Sequence, residues 1–397
     1  MEQKKDMRAE ASLTDRTDVE TAPLEAEAGE ALSEEEKASL LSGGRPTWPV
    51  FCTVLLLAVL FVFSVWLFSL MSCRVEIPAP GRETEQQTLQ IERASSESTA
   101  EPVYPYRTEA KKDTYIPSTT DRTQIISDAG IDATRAILVD LSTGEVLASR
   151  KADERIYPAS MTKVMTLLVL CDHIQNPDDR ITVPEEIPAL MKELGASTMN
   201  LDAGEVVPVS TLLYGLVLKS GGDAAILLAR YVAGTEENFV RLMNDKAREL
   251  GLTHTHFVNC TGLHDDEHYS TCREMAAIFA YAYDNEFCAS VLTSAEKKAP
   301  SVFQGTEFNY YFKAGWYENF INYGLSFKAG NWEIFGGKTG YTADTYDENG
   351  NLIKNHCLGT YAKGPGDRVL LAVTAGGTSG QINRALDAQY IYSNYGG

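Results

Sequence analysis

The chain has 397 residues, of which 55 are acidic and 35 are basic, so its formal net charge at neutral pH is −20. An acidic balance of this size argues against a nucleic-acid partner and against a basic patch for an anionic lipid surface. The length allows one large domain or two ordinary ones.

The N-terminal part of the sequence predicts a membrane anchor. Residues 1–49 are acidic and have no apolar period, which predicts a disordered cytoplasmic tail. Residues 50–71 carry no charge over 22 positions and are long enough to span a bilayer as one helix. A cleavable signal peptide fits poorly because 49 residues precede the run. We therefore predict a retained transmembrane helix, with lipoprotein processing at Leu70–Cys73 as the alternative.

A linker and one folded domain are predicted after the anchor. Residues 72–122 are rich in Pro, Glu, Ser and Thr, a composition typical of a flexible linker. The folded domain is predicted at 123–397, and its first two strands flank a turn at Ser142-Thr143-Gly144.

Helices dominate the middle of the predicted domain. An apolar helix begins at Ser160, and a second covers residues 208–219 and ends at Ser220-Gly221-Gly222. Asp223 is predicted to cap a third helix, and Thr235 opens a fourth, with acidic residues in its first turn.

The C-terminal part predicts more strands. A long irregular stretch leads to a strand that runs into Gly336–Gly340, and a hairpin follows with strands at 357–362 and 368–375. A helix from about Gln381 closes the chain. Strands at both ends with helices between them predict a mixed α/β (α+β) domain whose sheet is assembled from both termini.

Ser160 and Lys163 form the first candidate catalytic pair. Residues three positions apart share one helix face, so the lysine amine lies one turn from the hydroxyl. A serine becomes a good nucleophile when a neighbouring base takes its proton. The start of a helix also favours a developing oxyanion, because its backbone N–H groups are unpaired. A Lys338-Thr339-Gly340 triplet lies far downstream.

Several ordered segments of residues 123–397 resemble one known family. The chain resembles the serine-type D-alanyl-D-alanine carboxypeptidases, the low-molecular-mass penicillin-binding proteins of peptidase family S11. The resembling segments are ASMTKVMT, YGLVLKSGGDAA, FVRLMNDKARELGL, HFVNCTGLHDDEHYST and GGKTGYT. The resemblance implies a β-lactamase/transpeptidase-like fold, in which an antiparallel sheet is packed by helices and a helical subdomain is inserted between strands.

The resemblance also implies three catalytic residues. Ser160 would attack the carbonyl of the penultimate D-alanine and form an acyl-enzyme. Lys163 would be the base if its site keeps it neutral. Ser220 would relay a proton to the leaving amine.

The implied substrate-binding residues lie around the downstream triplet. Lys338 and Thr339 would hold the terminal carboxylate of the substrate, and Gly340 and Tyr341 complete this set. The oxyanion would lie between the backbone N–H groups of Ser160 and Tyr341.

The implied activity is removal of the terminal D-alanine from peptidoglycan stem peptides that end in D-Ala-D-Ala. β-Lactams would be inhibitors, and no cofactor is implied. Basic residues flank the predicted membrane helix almost evenly, so the predicted location of the domain outside the cell rests on this substrate. The alternatives are a non-catalytic β-lactam or peptidoglycan sensor and a β-lactamase.

Two departures from the family pattern affect this interpretation. The family's middle motif usually reads Ser-x-Asn, whereas Gly222 holds its third position here. A water or Asn259 would have to replace the missing amide. Residues 343–356 also insert polar residues before the next strand.

The histidines and cysteines of the predicted domain suggest other chemistry. His254, His256, His264 and His268 lie within 15 residues and would suit a zinc site. The same stretch resembles the serine family, so no metal is predicted. Cys52 and Cys73 lie at the predicted membrane helix, and the predicted domain contains five more cysteines, an odd number that leaves at least one thiol free. These five are Cys171, Cys260, Cys272, Cys288 and Cys357.

Overall fold

The computed structural model describes residues 89–94, 104–107, 109, 111, 113–127, 129–346 and 352–397. The predicted tail, the predicted membrane helix and most of the predicted linker lie outside these residues. Among the residues described, no helix combines the length and apolar character needed to cross a bilayer.

The described residues form strands and helices that alternate along the chain. The strands are β1 (Ile91–Glu92), β2 (Gln124–Ile125), β3 (Arg135–Asp140), β4 (Val146–Arg150), β5 (Arg155–Ile156), β6 (Arg180–Thr182), β7 (Val206–Pro208), β8 (Ser270–Thr271), β9 (Glu296–Phe303), β10 (Thr306–Lys313), β11 (Lys328–Ala329), β12 (Trp332–Tyr346), β13 (Leu352–Lys363) and β14 (Val369–Gly377). The helices are α1 (Lys163–His173), α2 (Glu186–Glu193), α3 (Val209–Leu218), α4 (Gly222–Ala233), α5 (Glu236–Glu249), α6 (Cys272–Asp284), α7 (Glu286–Leu292), α8 (Gly315–Ile321) and α9 (Gln381–Tyr395).

The main sheet has seven strands in the order β11-β12-β13-β14-β3-β4-β2. Its neighbouring strands are antiparallel except β2, which runs parallel to β4. In the centre, β14 pairs with β3, so that Leu370 faces Asp140 and Ala375 faces Arg135. The predicted mixed α/β sheet, built from both ends of the domain, is therefore confirmed.

The helix α1 lies at the centre of the helical region. Every residue from Lys163 to Cys171 is buried, as expected for a helix that is apolar on all sides. It contacts α3, α4, α5, α6 and α7. This burial holds the first residue of α1 in a fixed position beneath the site.

The helix starts differ in detail from the predictions. The Thr235 hydroxyl accepts a hydrogen bond from the Asn238 N–H at 3.1 Å, so the predicted cap of α5 is confirmed. In α4, by contrast, Gly221 is the N-cap and Asp223 lies in the first turn. The Asp223 carboxylate instead accepts hydrogen bonds from the backbone of a neighbouring segment, including Met199 N–H at 3.0 Å.

A second sheet occupies part of the stretch that was predicted to be irregular. Its strand order is β1-β6-β7-β9-β10. The β9–β10 hairpin was missed because Pro300 lies inside β9, and proline in a run of residues argues against a strand. Buried Glu205 links this sheet together, because it accepts hydrogen bonds from Tyr310 at 2.8 Å and from Ser301.

Parts of the predicted linker 72–122 pack on the domain. Strand β1 pairs with β6, and Arg93 donates to Asp179 at 2.8 Å. Tyr115 belongs to the hydrophobic core and donates to Asp284 at 2.9 Å. The composition of the segment did not predict these contacts, because they depend on a few single aromatic and charged residues that pair with residues of the folded domain.

Candidate active site

The chain presents Ser160 in a tight turn immediately before α1. Pro158 precedes a 3-10 helix at Ala159–Thr162, and Ala159 has a positive φ of 48°. Few residues other than glycine adopt this left-handed conformation, which is often found at functional sites. The nucleophile candidate therefore lies in a 3-10 turn that precedes the helix, whereas the sequence predicted it as the first residue of the helix.

Lys163 contacts Ser160 directly. Its Nζ lies 3.1 Å from Ser160 Oγ and 2.5 Å from the Thr261 carbonyl oxygen. Burial lowers the pKa of Lys163 to about 8, because a charged amine is disfavoured away from water. Roughly one molecule in ten would hold a neutral amine at pH 7, and that amine is close enough to accept the hydroxyl proton.

Ser220 pairs with Lys338 in the structure. Lys338 Nζ donates to Ser220 Oγ at 2.9 Å and to the Thr339 carbonyl at 2.8 Å. Burial, together with repulsion from Lys163 and Arg384, holds the pKa of Lys338 well below its usual range. A bound carboxylate would favour its charged form again. The site thus contains two serine–lysine pairs, Ser160 with Lys163 and Ser220 with Lys338.

Strand β12 lies against the turn that carries Ser160. A Cβ atom at Gly340 would be 2.8 Å from the Pro158 carbonyl oxygen and 3.2 Å from Ala159 Cβ. Glycine is therefore needed for this close approach. The next residue, Tyr341, is 48% exposed and its ring lies 4.7 Å from the His356 ring. The role of the Ser160 and Tyr341 N–H groups as an oxyanion site stays a prediction.

A small cleft opens at this junction. Its volume is about 160 Å³. It is lined by Ser160, Lys163, Gly195, Ala196, Ser197, Thr261, Gly262, Leu263, His264, Tyr341 and Thr342.

Arg384 is a site residue that the sequence did not reveal. It is buried on α9, where Nη1 donates to the Gly340 carbonyl at 2.9 Å and Nη2 donates to Asn319 at 3.3 Å. Burial lowers its pKa to about 10, so it keeps its charge at neutral pH. The available signal was one arginine on the apolar face of the closing helix.

Asn259 does not supply the missing amide. Its Oδ1 accepts from Gly262 N–H at 2.7 Å, and its Nδ2 donates to the Leu263 carbonyl at 3.0 Å. Asn259 therefore fixes its own turn. That turn carries the Thr261 carbonyl that contacts Lys163. Gly262 has a φ of 78°, and a Cβ there would overlap the Ala159 carbonyl.

The space beside Gly222 is filled by the segment 195–198. Gly222 N–H donates to the Ser197 carbonyl at 2.7 Å. A Cβ at Gly222 would lie 3.1 Å from that oxygen and 3.2 Å from Ala196 Cβ. The Asp223 carboxylate holds the end of the segment through the Thr198 hydroxyl. The position of the family's asparagine is therefore crowded by a segment that also lines the cleft.

The four histidines of the zinc alternative face different partners. His268 lies 2.8 Å from the Thr162 hydroxyl, and burial lowers its pKa to about 4, so it is neutral. His254 lies 3.3 Å from Glu274, His256 lies 2.6 Å from a backbone carbonyl, and His264 lies 3.6 Å from Asp266. Throughout the described ranges, no three His, Cys, Asp or Glu side chains are grouped to hold a metal ion.

Comparison with known proteins agrees with this fold and with the family resemblance of the sequence. The family model described as D-alanyl-D-alanine carboxypeptidase, peptidase S11, matches residues 122–353. The D-alanyl-D-alanine carboxypeptidase DacF of Bacillus subtilis is 32% identical over 277 residues, which cover 68% of this chain and 64% of that protein. DacC of Escherichia coli is 39% identical over 173 residues, which cover 41% of this chain and 42% of that protein.

Solved structures show the same architecture. The DD-transpeptidase of Streptomyces K15 is similar with a TM-score of 0.59 and 28% identity, and the match covers 68% of this chain and 99% of that one. Penicillin-binding protein 5 of Haemophilus influenzae has a TM-score of 0.54 at 24% identity, which shows the fold alone.

The match with the family model extends over more than half of the sequence. The chain belongs to the D-alanyl-D-alanine carboxypeptidase family, peptidase S11. It spans less than two thirds of the length of the curated relatives described above.

Proposed function

We propose that the chain is a serine-type D-alanyl-D-alanine carboxypeptidase that removes the terminal D-alanine from peptidoglycan stem peptides. The observation that carries this proposal is the contact of buried Lys163 with Ser160 at 3.1 Å, with a lysine pKa lowered to about 8. A hydroxyl beside a partly neutral amine is an activated nucleophile.

Acylation follows from this geometry. Neutral Lys163 accepts the Ser160 proton while Oγ attacks the carbonyl carbon of the penultimate D-alanine. The peptide C–N bond then breaks, and an ester to Ser160 remains. Ser220 relays a proton from the Lys338 ammonium, which donates to it, to the leaving amine of the terminal D-alanine. Water then hydrolyses the ester: its hydroxide adds to the acyl carbon, its proton restores Lys338, and Lys163 returns its proton to Ser160 Oγ. A β-lactam would form a similar ester.

Positive charge at the other side of the site favours a substrate that ends in a carboxylate. Lys338 and Thr339 would bind that group directly. Arg384 lies behind the same strand and donates to the Gly340 carbonyl at 2.9 Å. Both of its hydrogen-bond partners are neutral groups, so neither cancels its positive charge. That charge therefore contributes to the electrostatic potential of the cleft.

We propose that residues 50–71 anchor the chain in the cell membrane as one helix, with the catalytic domain outside. The support is the uncharged run of 22 residues and the extracellular location of the proposed substrate. Resistance of the full chain to alkaline carbonate extraction, combined with digestion by protease added to intact spheroplasts, tests both statements. Protection from the protease contradicts the orientation.

A second candidate function is transfer of the acyl group to an amine instead of water. It is favoured by the similarity to structures titled DD-transpeptidase. The two reactions share the acyl-enzyme and differ in the acceptor. Adding glycine or a diamino acid to the assay distinguishes them, because transfer forms a new peptide while hydrolysis releases only the shortened one.

The full chain in detergent can test the main proposal. We expect D-alanine release from a diacyl-Lys-D-Ala-D-Ala tripeptide and covalent labelling by a fluorescent penicillin. Ser160→Ala should abolish both, whereas Ser290→Ala, at an exposed position on α7, should change neither. Stoichiometric labelling without D-alanine release from any such peptide would favour the sensor instead. Rapid release of hydrolysed penicillin would favour the β-lactamase.

A further inference from the structure

The sulfur atoms of Cys171 and Cys288 face each other in the core. The two Sγ atoms lie 3.4 Å apart, and both residues are completely buried as free thiols. Cys171 lies near the end of α1, and Cys288 lies in the first turn of α7. The pair is thus contributed by two helices that are far apart in sequence.

The other described cysteines have different surroundings. Cys260 Sγ lies 3.2 Å from Glu236 Oε1, and Cys357 Sγ lies 3.2 Å from Asn355 Oδ1. Cys272 is buried. Among the five cysteines that the structure describes, Cys171 and Cys288 are the pair with a sulfur–sulfur contact, while burial, together with nearby Cys357, raises the pKa of the Cys272 thiol.

The backbones on both sides of the pair are firmly held. Asn285 caps α7 by accepting from the Cys288 N–H at 2.9 Å, and its own amide donates to the Tyr106 carbonyl at 2.7 Å. On the other side, every residue of α1 from Lys163 to Cys171 is buried. A disulfide has a sulfur separation of about 2.05 Å, so the two side chains together need to close about 1.4 Å.

We propose that Cys171 and Cys288 form a disulfide when the chain folds in the presence of a low-molecular-weight disulfide oxidant. One cysteine thiolate attacks the oxidant, which gives a mixed disulfide and releases one small thiol. The second cysteine then displaces the other small thiol. The protein loses two protons and two electrons, and the oxidant gains them as two thiols.

Burial determines when this reaction occurs. It raises the pKa of Cys171 well above its usual range, with the contact to Cys288 adding to the effect. Since the thiolate is the attacking species, exchange is slow once the core has closed. The bond therefore forms during folding, while the two helices are still accessible.

The crosslink would stabilise the helix that begins with Lys163. It closes the chain between residues 171 and 288 into a loop, which restricts the unfolded state. The oxidised protein should therefore melt about 5 °C or more above the reduced protein. This effect is independent of whether the chain hydrolyses a peptide.

Oxidative refolding of the full chain tests the proposal. The protein is refolded with reduced and oxidised glutathione, denatured, alkylated and digested for peptide mass mapping. We expect the peptides of Cys171 and Cys288 to be joined, while Cys260, Cys272 and Cys357 are alkylated. Full alkylation of both Cys171 and Cys288, or their pairing with other cysteines, overturns the proposal.

Two variants provide matched controls. In Cys288→Ala the redox-dependent difference in melting temperature should disappear and Cys171 should be alkylated. Cys272→Ala removes another buried cysteine and should keep the crosslink. Because the mapping of the natural chain decides the question, failure of a variant to fold leaves the result intact.

Discussion

At the residue scale, burial changes the chemistry of two lysines. Lys163 and Lys338 are each 2% exposed, and each contacts a serine hydroxyl. The same side chains at the surface would stay charged at neutral pH. In the proposed mechanism, desolvation supplies a base at Ser160, and it leaves Lys338 ready to gain charge when a carboxylate binds.

The pH dependence of acylation tests the role of Lys163 as a base. The neutral amine is the active form, so the rate constant for acylation by benzylpenicillin should rise about tenfold per pH unit below about 8 and then level off. The measurement is the second-order rate constant from pH 6 to 9.5, with circular dichroism to show that the fold persists. A flat profile contradicts the assignment.

Gly222→Asn tests whether the family's usual asparagine fits this chain. The sequence alone favours a gain in turnover through a restored amide. The structure reverses this expectation, because even a Cβ would press on Ala196 and the Ser197 carbonyl. We expect D-alanine release to fall about tenfold, which corresponds to roughly 1.4 kcal/mol of transition-state stabilisation.

Gly222→Ala is the control, because it adds the crowding without the amide. D-alanine release by Gly222→Ala should fall by a similar factor, and its melting temperature should stay within a few degrees of that of the natural chain. Turnover of Gly222→Asn above that of the natural chain would contradict this expectation. It would show that the segment 195–198 moves to accommodate the side chain and that the added amide contributes to turnover.

The motifs predicted part of the site. Ser160 and Lys163 are neighbours in sequence, so their contact follows from local spacing. Ser220 and Lys338 are distant in sequence; the family resemblance placed both in one site, but their direct contact was not predicted. Arg384 and the Thr261 carbonyl were not predicted, because their importance depends on packing between elements that no single segment reveals.

At the element scale, apolar helices and the C-terminal hairpin were predictable. The structure confirms a closing helix from Gln381 and the paired strands β13 and β14. The second sheet was not predicted. Its strands β9 and β10 have mostly exposed or half-buried residues with a few buried ones, and Pro300 interrupts the strand signal. Pairing with distant β7 compensates for weak local preference.

Gly262→Ala tests the contact between the 259–263 turn and the Ser160 turn. At a φ of 78° an added Cβ costs about 1–2 kcal/mol, and here it would also overlap the Ala159 carbonyl. We expect a clear loss of thermal stability and at least a tenfold slower acylation by penicillin.

Gly144→Ala is the control for Gly262→Ala, because it separates the backbone strain of a positive φ from steric overlap with a neighbouring residue. Gly144 has a φ of 72°, but nothing lies within 4 Å of its added Cβ. It should lose stability through backbone strain alone and keep its acylation rate. Equal effects of the two substitutions would show that the contact with Ala159 is unimportant.

At the scale of the whole molecule, the proposed chemistry depends on serines and lysines from separate elements. D-alanine release should therefore be unchanged after dialysis against EDTA. A catalytic zinc ion held by the histidine-rich stretch would give the opposite result, because a zinc-dependent enzyme loses activity on dialysis against EDTA and regains it with added zinc. The measurement is turnover before dialysis, after dialysis and after zinc is restored, with penicillin labelling as a control for the fold.

The central pairing of β3 with β14 has a consequence for biosynthesis. Asp140 faces Leu370, so a ribosome adding about 5–20 residues per second needs roughly 10–50 s to deliver the partner strand. During that interval β3 has one open edge, which attracts other strands. Closing such a long loop also costs about 5 kcal/mol of chain entropy. The seven-stranded sheet is thus complete only after β14 has left the ribosome, although the neighbouring pair of β3 and β4 can form much earlier.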